Sequence, residues 1–350
     1  MGTARRAAIA TLVAGGIIVA GLALWKLRLV IALLFLAIIL ASAMRPSIDW
    51  LERQRIPRPA GLALHYLALL GALAAAIAFA TPRALDQVNH ALSPSGKAEI
   101  AREAKQSTGV KHDVLTALQK RLKHLPRRSE LVKPATQIGP KAFEVVIGIF
   151  FTLAAAAYWI FERDKAVDVV CSLIPRPKRK LVRDTWTLID LRLGAFVRGQ
   201  SVLIVAVGVV LSLLFWAIGE PYWILVGSFA GLVEIIPVIG PLVAGTLAVA
   251  VGLTASLKVA VLAALCVLGV RLLEDYLIMP KVLGEAVGLS PLLVLVSVTT
   301  VGILFSGWAV LFAVPIAAVV MTLFDVILRD VDPAEQEVPT VIFSAKEGEP

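Results

Sequence analysis

An apolar run over residues 222–252 constrains this chain more than any other stretch, because it is too long for one membrane-spanning helix. About 20 apolar residues of helix are enough to cross a bilayer core. Pro237 and Pro241 lack a backbone N–H and Gly240 lacks a side chain, so we predict a helix break here. Glu234 lies one turn before the break. Irregular backbone at membrane depth is tolerated only where it is buried in protein or lines a polar cavity, so this run predicts a transport site.

Apolar runs of spanning length recur along the 350 residues, of which 59% are hydrophobic. We therefore predict an all-α polytopic membrane protein with about eight transmembrane segments, surrounded by the lipid bilayer. The formal net charge of +9 is explained by Lys and Arg residues that hold loops on the cytoplasmic side. For this reason no nucleic-acid partner is predicted.

The sequence contains no phosphate-binding GxxxxGK loop, no HExxH zinc motif and no GxSxG nucleophile elbow. Its four histidines have no metal-like spacing, and Cys171 and Cys266 make no disulfide framework. We predict no enzymatic activity, no cofactor and no metal site.

Residues 1–81 are predicted to form an N-terminal membrane scaffold of three spans. Runs 7–24 and 29–44 are interpreted as a helical hairpin, and 60–80 as the third span. A cleaved signal peptide is the competing interpretation, but two runs in tandem are too long for one. The loop after the second run carries Arg45, Arg53, Arg55 and Arg58, with Pro46, Pro57 and Pro59 expected to break helix. The positive-inside rule places this loop, and with it the N-terminus, in the cytoplasm.

Residues 82–142 are predicted to be an extracytoplasmic basic segment with an amphipathic helix over 97–125. It is either a solvated helix with one packed face, a cap on the transport domain or a contact for anionic lipid. Residues 143–193 contain a fourth span, 143–161, and a basic cytoplasmic segment. An interfacial helix is expected over 181–192.

Residues 194–329 are predicted to be the transport core, with the order span, broken run, span, broken run. The second broken run, 291–328, is interrupted at Ser306 and Gly307. Paired Gly/Pro-interrupted segments in two halves point to a transporter binding site. The two runs either re-enter the membrane as hairpins of an inverted repeat or cross it fully. Both models place the C-terminal segment in the cytoplasm, where residues 330–350 are expected to form a flexible tail.

Several motifs in this core, taken in order, resemble the autoinducer-2 exporter family of bacterial membrane proteins. The motifs are FVRGQ (196–200), EIIPVIGP (234–241), EDYLIMPKVLG (274–284), GLSP (288–291) and AVP (313–315). The resemblance implies a homo-oligomeric secondary transporter of the bacterial inner membrane. In some members it implies export of the small, sugar-like quorum-sensing signal autoinducer-2, and in others sodium/proton antiport. Relatives commonly carry a neutral polar residue at the position of Glu234, so the carboxylate here favours coupling to an ion or proton.

Candidate binding residues are the ionisable or polar groups at the ends of apolar segments and the breaks themselves. The set predicted to bind solute or ion is Glu234, Pro237, Gly240, Pro241, Glu274, Asp275, Gln200, Ser306 and Gly307. The set predicted to form an ion pair or gate is Arg271, Arg198, Pro280 and Lys281.

Arg271 and Glu274 are three residues apart and share a helix face, so we predict an ion pair between them. The structural alternative is that this pair and Asp275 only anchor the span at the membrane interface. Arg198 is expected to extend to lipid headgroups, and Gly227 and Gly231 to provide close helix packing.

Three functional hypotheses remain open at this point. The first is an exporter of a small polar solute that works through movement of the broken-hairpin domain. The second is a sodium (cation)/proton antiporter that uses Glu234 and Glu274. The third is a membrane scaffold without transport activity.

Overall fold

The computed structural model describes residues 3–92, 102, 105, 116, 134–236, 239–278, 290–305, 307–336 and 338. The described part is built from α-helices, and the predicted all-α class is confirmed. The helices are α1 (Thr3–Lys26), α2 (Arg28–Arg53), α3 (Arg58–Leu92), α4 (Pro134–Ser172), α5 (Arg179–Ala217), α6 (Trp223–Val233), α7 (Ile239–Ala255), α8 (Leu257–Leu273), α9 (Pro291–Phe305) and α10 (Ala313–Leu328). Short 3₁₀ segments cover Arg176–Lys178, Gly307–Phe312 and Pro333–Glu335, and a π-helical turn, Glu274–Ile278, extends α8.

The described helices have the length and surface of a multi-pass membrane protein. Four of them are long and apolar enough to cross a bilayer: Arg28–Arg53, Phe143–Ser172, Arg176–Ala217 and Gly307–Leu328. Shorter apolar helices cover Thr11–Lys26, Trp223–Val233, Ile239–Ala255 and Leu292–Phe305. Large apolar side chains face outward, as Leu12, Phe150 and Ile303 show, while many of the buried positions are alanines. This distribution, with large apolar side chains outside and small residues inside, is expected where lipid surrounds the protein and small residues let helices approach closely.

The predicted hairpin between the first two apolar runs is wrong. Only Leu27 separates α1 from α2, and its backbone is close to helical, at φ −87° and ψ 2°. Hydrogen bonds of helical spacing continue across it, from Leu27 N to Ala23 O and from Ile31 N to Leu27 O. An antiparallel helix pair needs a loop of about 2–5 residues, so the chain does not reverse here. The cytoplasmic placement of the N-terminus depended on that reversal.

Pro46 does not break α2, contrary to the prediction. A proline in a helix leaves the carbonyl four residues earlier without its donor, and here that carbonyl belongs to Ser42. Arg198 of α5 donates from Nη1 to the carbonyl oxygens of Ala43 at 3.2 Å and of Ser42 at 3.5 Å. Gly194 permits this approach, because a Cβ there would lie 2.4 Å from the Ser42 oxygen. Arg198 therefore joins α5 to α2, and the expectation that it reaches lipid headgroups is wrong.

An ion-pair cluster, the scaffold clamp, joins α2, α4 and α5 and consists of Ser42, Arg163, Asp164, Thr187 and Asp190. Arg163 donates from Nε to the carboxylate of Asp190 at 2.8 Å, and it also bonds Asp164 and Thr187, each at 3.0 Å. The Ser42 hydroxyl donates to the other Asp190 oxygen at 3.3 Å. Arg163 and Asp190 are both buried. The clamp fixes the scaffold helices to α5, the helix that leads into the transport core.

The helix predicted over 181–192 is present, as the first part of α5, which is continuous from Arg179 to Ala217. The packing role predicted for Gly227 and Gly231 is confirmed. A Cβ on Gly227 would lie 2.6 Å from the Ser212 Cα, and one on Gly231 would lie 2.6 Å from the Ile204 oxygen. These glycines let α6 pack against α5 with backbones in contact.

Both predicted breaks in the transport core are present. The first separates α6 from α7, and the two helices contribute to one buried cluster that includes Val226, Ala230, Ala244 and Ala248. Helix α6 has 11 residues and extends about 16 Å, roughly half of a bilayer core of about 30 Å. The second break is the 3₁₀ segment Gly307–Phe312, which joins α9 to α10. We call these elements the first hairpin (α6–α7) and the second hairpin (α9–α10).

Candidate functional site

The tip of the first hairpin is a tight turn that only glycine can close. Helix α6 ends at Val233, and Glu234 begins the turn with its N–H on the Ala230 oxygen at 3.3 Å. Gly240 enters α7 with its N–H on the Ile236 oxygen at 2.8 Å. A Cβ on Gly240 would lie 2.2 Å from the Val233 oxygen, and backbone atoms cannot move aside as a flexible side chain can. The sequence G-P at the start of α7 therefore fixes Glu234 at the hairpin tip.

Four charged side chains meet at this tip, and we call them the tip cluster: Glu234, Arg271, Glu274 and Asp275. Arg271 Nη1 lies 3.1 Å from the Glu274 carboxylate and 3.6 Å from the Glu234 carboxylate. Its Nη2 lies 2.9 Å from Asp275. The predicted Arg271–Glu274 ion pair is confirmed. One guanidinium thus connects the hairpin tip to the end of α8.

The two acids lie where α8 passes into a π-helical turn. Glu274 caps α8 and starts the π turn Glu274–Ile278. Such wider turns occur frequently at functional sites. Glu274 and Asp275 reach the guanidinium of Arg271 from positions i+3 and i+4, the spacings at which side chains meet on a helix surface.

The tip cluster is acidic and largely buried. Glu234 is 3% exposed and Glu274 is 1% exposed, whereas the side chain of Asp275 is 43% exposed. The carboxyl groups of Glu234 and Glu274 both contact the same guanidinium nitrogen of Arg271, at 3.6 Å and 3.1 Å. Among the described residues, the buried Oε1 of Glu274 has no hydrogen-bond partner. Three carboxylates thus share one guanidinium, and the fully ionised cluster carries two negative charges in excess.

Gln200 supports the tip from α5. Its amide nitrogen donates to the backbone oxygen of Glu234 at 2.7 Å, and the side chain is buried. A carbonyl at a helix end has lost its helical partner, so this bond satisfies an acceptor that the break exposes. Gln200 therefore positions the Glu234 backbone, and its bond places it beside the tip cluster.

A groove of about 780 Å³ lies on the protein surface between α7 and α8, and Pro241 and Arg271 both line it. Ile236, at the tip, packs against the buried cluster of the second hairpin, Val298, Val301, Ala309 and Ala313. The two breaks are consequently neighbours, and Gly307 opens the 3₁₀ segment that contributes Ala309.

The structure brings together a subset of the residues predicted from the sequence. Glu234, Arg271, Glu274 and Asp275 form one cluster, with Gln200, Gly240 and Pro241 next to it. Arg198 lies apart, bonded to α2. Pro237, Pro280, Lys281 and Ser306 lie outside the described residues, as does most of the predicted amphipathic helix over 97–125.

Sequence reasoning missed several buried polar groups. Arg192 of α5 donates to the Thr322 hydroxyl of α10 at 2.8 Å, and this bond connects the second hairpin to α5. Glu220, in the turn between α5 and α6, is 2% exposed, and neither of its carboxyl oxygens has a hydrogen-bond partner in the described residues. The signal for Glu220 was a single acid between two apolar runs, directly before Pro221.

In the described part of the chain, no group of three or more His, Cys, Asp or Glu side chains is arranged to hold a metal ion. The chemistry that the tip cluster offers is charge neutralisation. A cluster with excess buried carboxylate gains stability when it takes up a proton, because unpaired buried charge is costly.

The sequence is similar to those of known proteins along most of its length. A family model described as "AI-2E family transporter" matches residues 13–329. The chain belongs to the AI-2E transporter family. "Putative transport protein YrrI" of Bacillus subtilis is 23% identical over 308 residues, which cover 85% of this chain and 86% of the relative. "Putative transport protein MT0215" of Mycobacterium tuberculosis is 24% identical over 309 residues, which cover 84% of this chain and 82% of the relative. As an AI-2E family member with spanning helices, the protein is a multi-pass membrane transporter.

Proposed function

We propose that this AI-2E family protein is a proton-coupled secondary transporter, in which the tip cluster binds and releases the coupling proton. The observation that carries the proposal is the sharing of one guanidinium by three carboxylates at a broken helix. Ionisable groups buried in a membrane protein are functional candidates by default, because burying them is expensive. This excess of acid has no structural purpose that a single ion pair would not serve.

The cycle follows from the charge balance. With a proton held between Glu234 and Glu274, Arg271 faces fewer negative charges and the hairpin tip packs against α8. Loss of the proton restores the repulsion between the two carboxylates, which belong to different elements, and the tip separates from the end of α8. Movement of the first hairpin against the second then changes access to the solute path. A sodium ion could replace the proton in the same role, and flux measurements distinguish the two.

The test uses purified protein in proteoliposomes that enclose a pH-sensitive dye. An imposed sodium or potassium gradient should drive proton movement in the wild-type protein. In Glu234→Gln we expect the exchange rate to fall at least about tenfold, equivalent to about 1.4 kcal/mol. Glu162→Gln is the matched control, because Glu162 is an exposed glutamate outside the cluster. Wild-type exchange in Glu234→Gln would show that this carboxylate is not the coupling group.

The second candidate is export of a small polar solute of the autoinducer-2 type, with or without coupling. It is supported by the family and by the contact of Ile236 with the second hairpin. A disulfide between Ile236→Cys and Ala309→Cys, made in a background without Cys171 and Cys266, should lock the hairpins together. Efflux of autoinducer-2 from loaded vesicles should stop on oxidation and return on reduction. Equal efflux from the locked and unlocked protein would reject export by hairpin movement.

Location, assembly and chemistry complete the proposal. We place the protein in the bacterial inner membrane, with the basic segments around Arg53 and Arg176 and the C-terminus in the cytoplasm. We propose a homo-oligomer and a non-enzymatic role, with quorum sensing as its setting if autoinducer-2 is the solute. The alternative of a membrane scaffold without transport activity requires that the wild-type protein move neither protons nor solute beyond the leak of protein-free vesicles.

A further inference from the structure

A carboxyl group away from the tip cluster stands out for its isolation. Glu220 lies in the connection between α5 and α6, outside both helices, and is 2% exposed. Both carboxyl oxygens are buried without a hydrogen-bond partner in the described residues. An isolated carboxylate in an apolar setting costs far more than a neutral carboxylic acid. The position therefore favours the protonated form.

The backbone forces this side chain inward. Helix α5 ends in a Schellman motif, in which Gly219 at φ +72° donates to the Trp216 oxygen at 3.1 Å and Glu220 donates from its N–H to the Phe215 oxygen at 2.9 Å. The residue that follows the left-handed glycine in this motif normally makes an apolar contact with the last turn of the helix. Glu220 occupies that position, next to Phe215, which is fully buried. A glutamate thus stands where the motif calls for an apolar side chain.

Among the described residues, the surroundings of Glu220 provide no cation. The apolar cluster around this turn includes Leu214 and Ile218 from the end of α5, Tyr222 and Trp223 from the start of α6, and Cys266 from α8. The titratable groups among these are the Tyr222 phenol and the Cys266 thiol, and neither carries a positive charge. Desolvation is therefore the dominant influence, and it raises the pKa of Glu220 to about 7.

We propose that Glu220 is a second proton-binding site of the transport unit, located at the base of the first hairpin and separated from the tip cluster by the length of α6. With its proton, Glu220 is neutral and the turn between α5 and α6 packs closed. When the turn opens, the carboxyl group is hydrated and releases the proton to water. The inference rests on the proposed function, since it gives the hairpin one proton site at each end.

The linkage between protonation and opening has a defined sign. In the open turn Glu220 has the ordinary pKa of 4.5, and in the closed turn it has a pKa of about 7. Below pH 4.5 both forms hold the proton, so opening does not depend on pH. Between these values opening releases one proton, so the open fraction rises about tenfold per pH unit. Above about 7 both forms are ionised, and the open fraction levels off.

Hydrogen–deuterium exchange of the turn, measured by mass spectrometry on the full-length protein in lipid nanodiscs, tests this directly. After correction for the chemical exchange rate, peptides covering residues 214–226 should exchange about tenfold faster per pH unit from pH 4.5 to 7 in the wild-type protein. In Glu220→Gln, which keeps the shape of the neutral acid, exchange should be low and independent of pH. In Glu234→Gln, the pH dependence at this turn should remain.

The outcomes separate the two proposals. A Glu220→Gln turn that keeps the wild-type pH profile would overturn the second proton site, whatever the transport result. A turn that responds to Glu220→Gln, together with normal proton flux in Glu234→Gln, would retain the site at Glu220 and reject the tip cluster as the coupling site. If Glu220→Gln does not yield folded protein, the wild-type profile decides alone, since a flat profile contradicts the proposal.

Discussion

The tip cluster and the scaffold clamp are both groups of charged side chains between helices, but their charges balance differently. In the clamp, the buried carboxylate of Asp190 meets Arg163 at 2.8 Å and accepts from Ser42 at its other oxygen. The second acid of the clamp, Asp164, is exposed and pairs with Arg45 as well as with Arg163. In the tip cluster, Arg271 is shared by three carboxylates, and one buried oxygen of Glu274 has no partner among the described residues. A satisfied ion pair holds helices in place, whereas an excess of buried carboxylate is stabilised by taking up a proton. The difference supports a structural role for the clamp and the coupling role proposed for the tip cluster.

The largest expected effect is in the clamp, and it concerns folding. Arg163→Ala leaves Asp190 buried without its main partner, so we expect a loss of about 3–5 kcal/mol of stability, measured as a lower unfolding temperature in detergent. Arg183→Ala is the control, because its ion pair with Asp168 is exposed and should contribute little. The double variant Arg163→Met with Asp190→Leu should regain most of the stability and keep transport. A double variant that is stable but inactive would assign the clamp a functional role.

An intermediate effect is expected at Glu274, and it concerns transport. Glu274→Gln removes one of the excess charges and keeps the side-chain volume, so stability should not fall. Proton exchange in proteoliposomes should nevertheless decrease at least about tenfold, equivalent to about 1.4 kcal/mol. The unfolding temperature of the same preparation measures its stability and should equal that of the wild-type protein. A loss of stability as large as that of Arg163→Ala would mean that the tip cluster is a structural ion-pair network like the clamp.

The sequence was sufficient to predict the tip cluster because its members are close along the chain or mark a local irregularity. Arg271 and Glu274 are separated by three residues, a spacing that places them on one helix face. Glu234 was marked by the Pro237, Gly240 and Pro241 that follow it. These signals can be recognised without knowing which distant segments pack together.

The features that the sequence did not reveal depend on contacts between distant segments. Arg163 and Asp190 are 27 positions apart, and no periodicity connects them. Pro46 was interpreted as a helix breaker, but Arg198 donates to the carbonyl that the proline leaves free, and that donor comes from 156 positions away. The hairpin at Leu27 was predicted from two apolar runs in tandem, yet the four residues between those runs contain no glycine or proline that would turn the chain. In each case tertiary contacts or the absence of a breaker decided the local structure.

The smallest effect is expected at Asp275, which tests whether burial or mere proximity to Arg271 defines the functional group. Asp275 forms the shortest contact with Arg271, at 2.9 Å, but its side chain is 43% exposed. Exposed ion pairs contribute about 0–1 kcal/mol, so Asp275→Asn should change proton exchange by no more than about fivefold. Raising the salt concentration should reduce the difference further, because exposed charges are screened. If Asp275→Asn loses exchange as completely as Glu274→Gln, the total charge around Arg271 governs coupling, and the buried pair Glu234–Glu274 is not special.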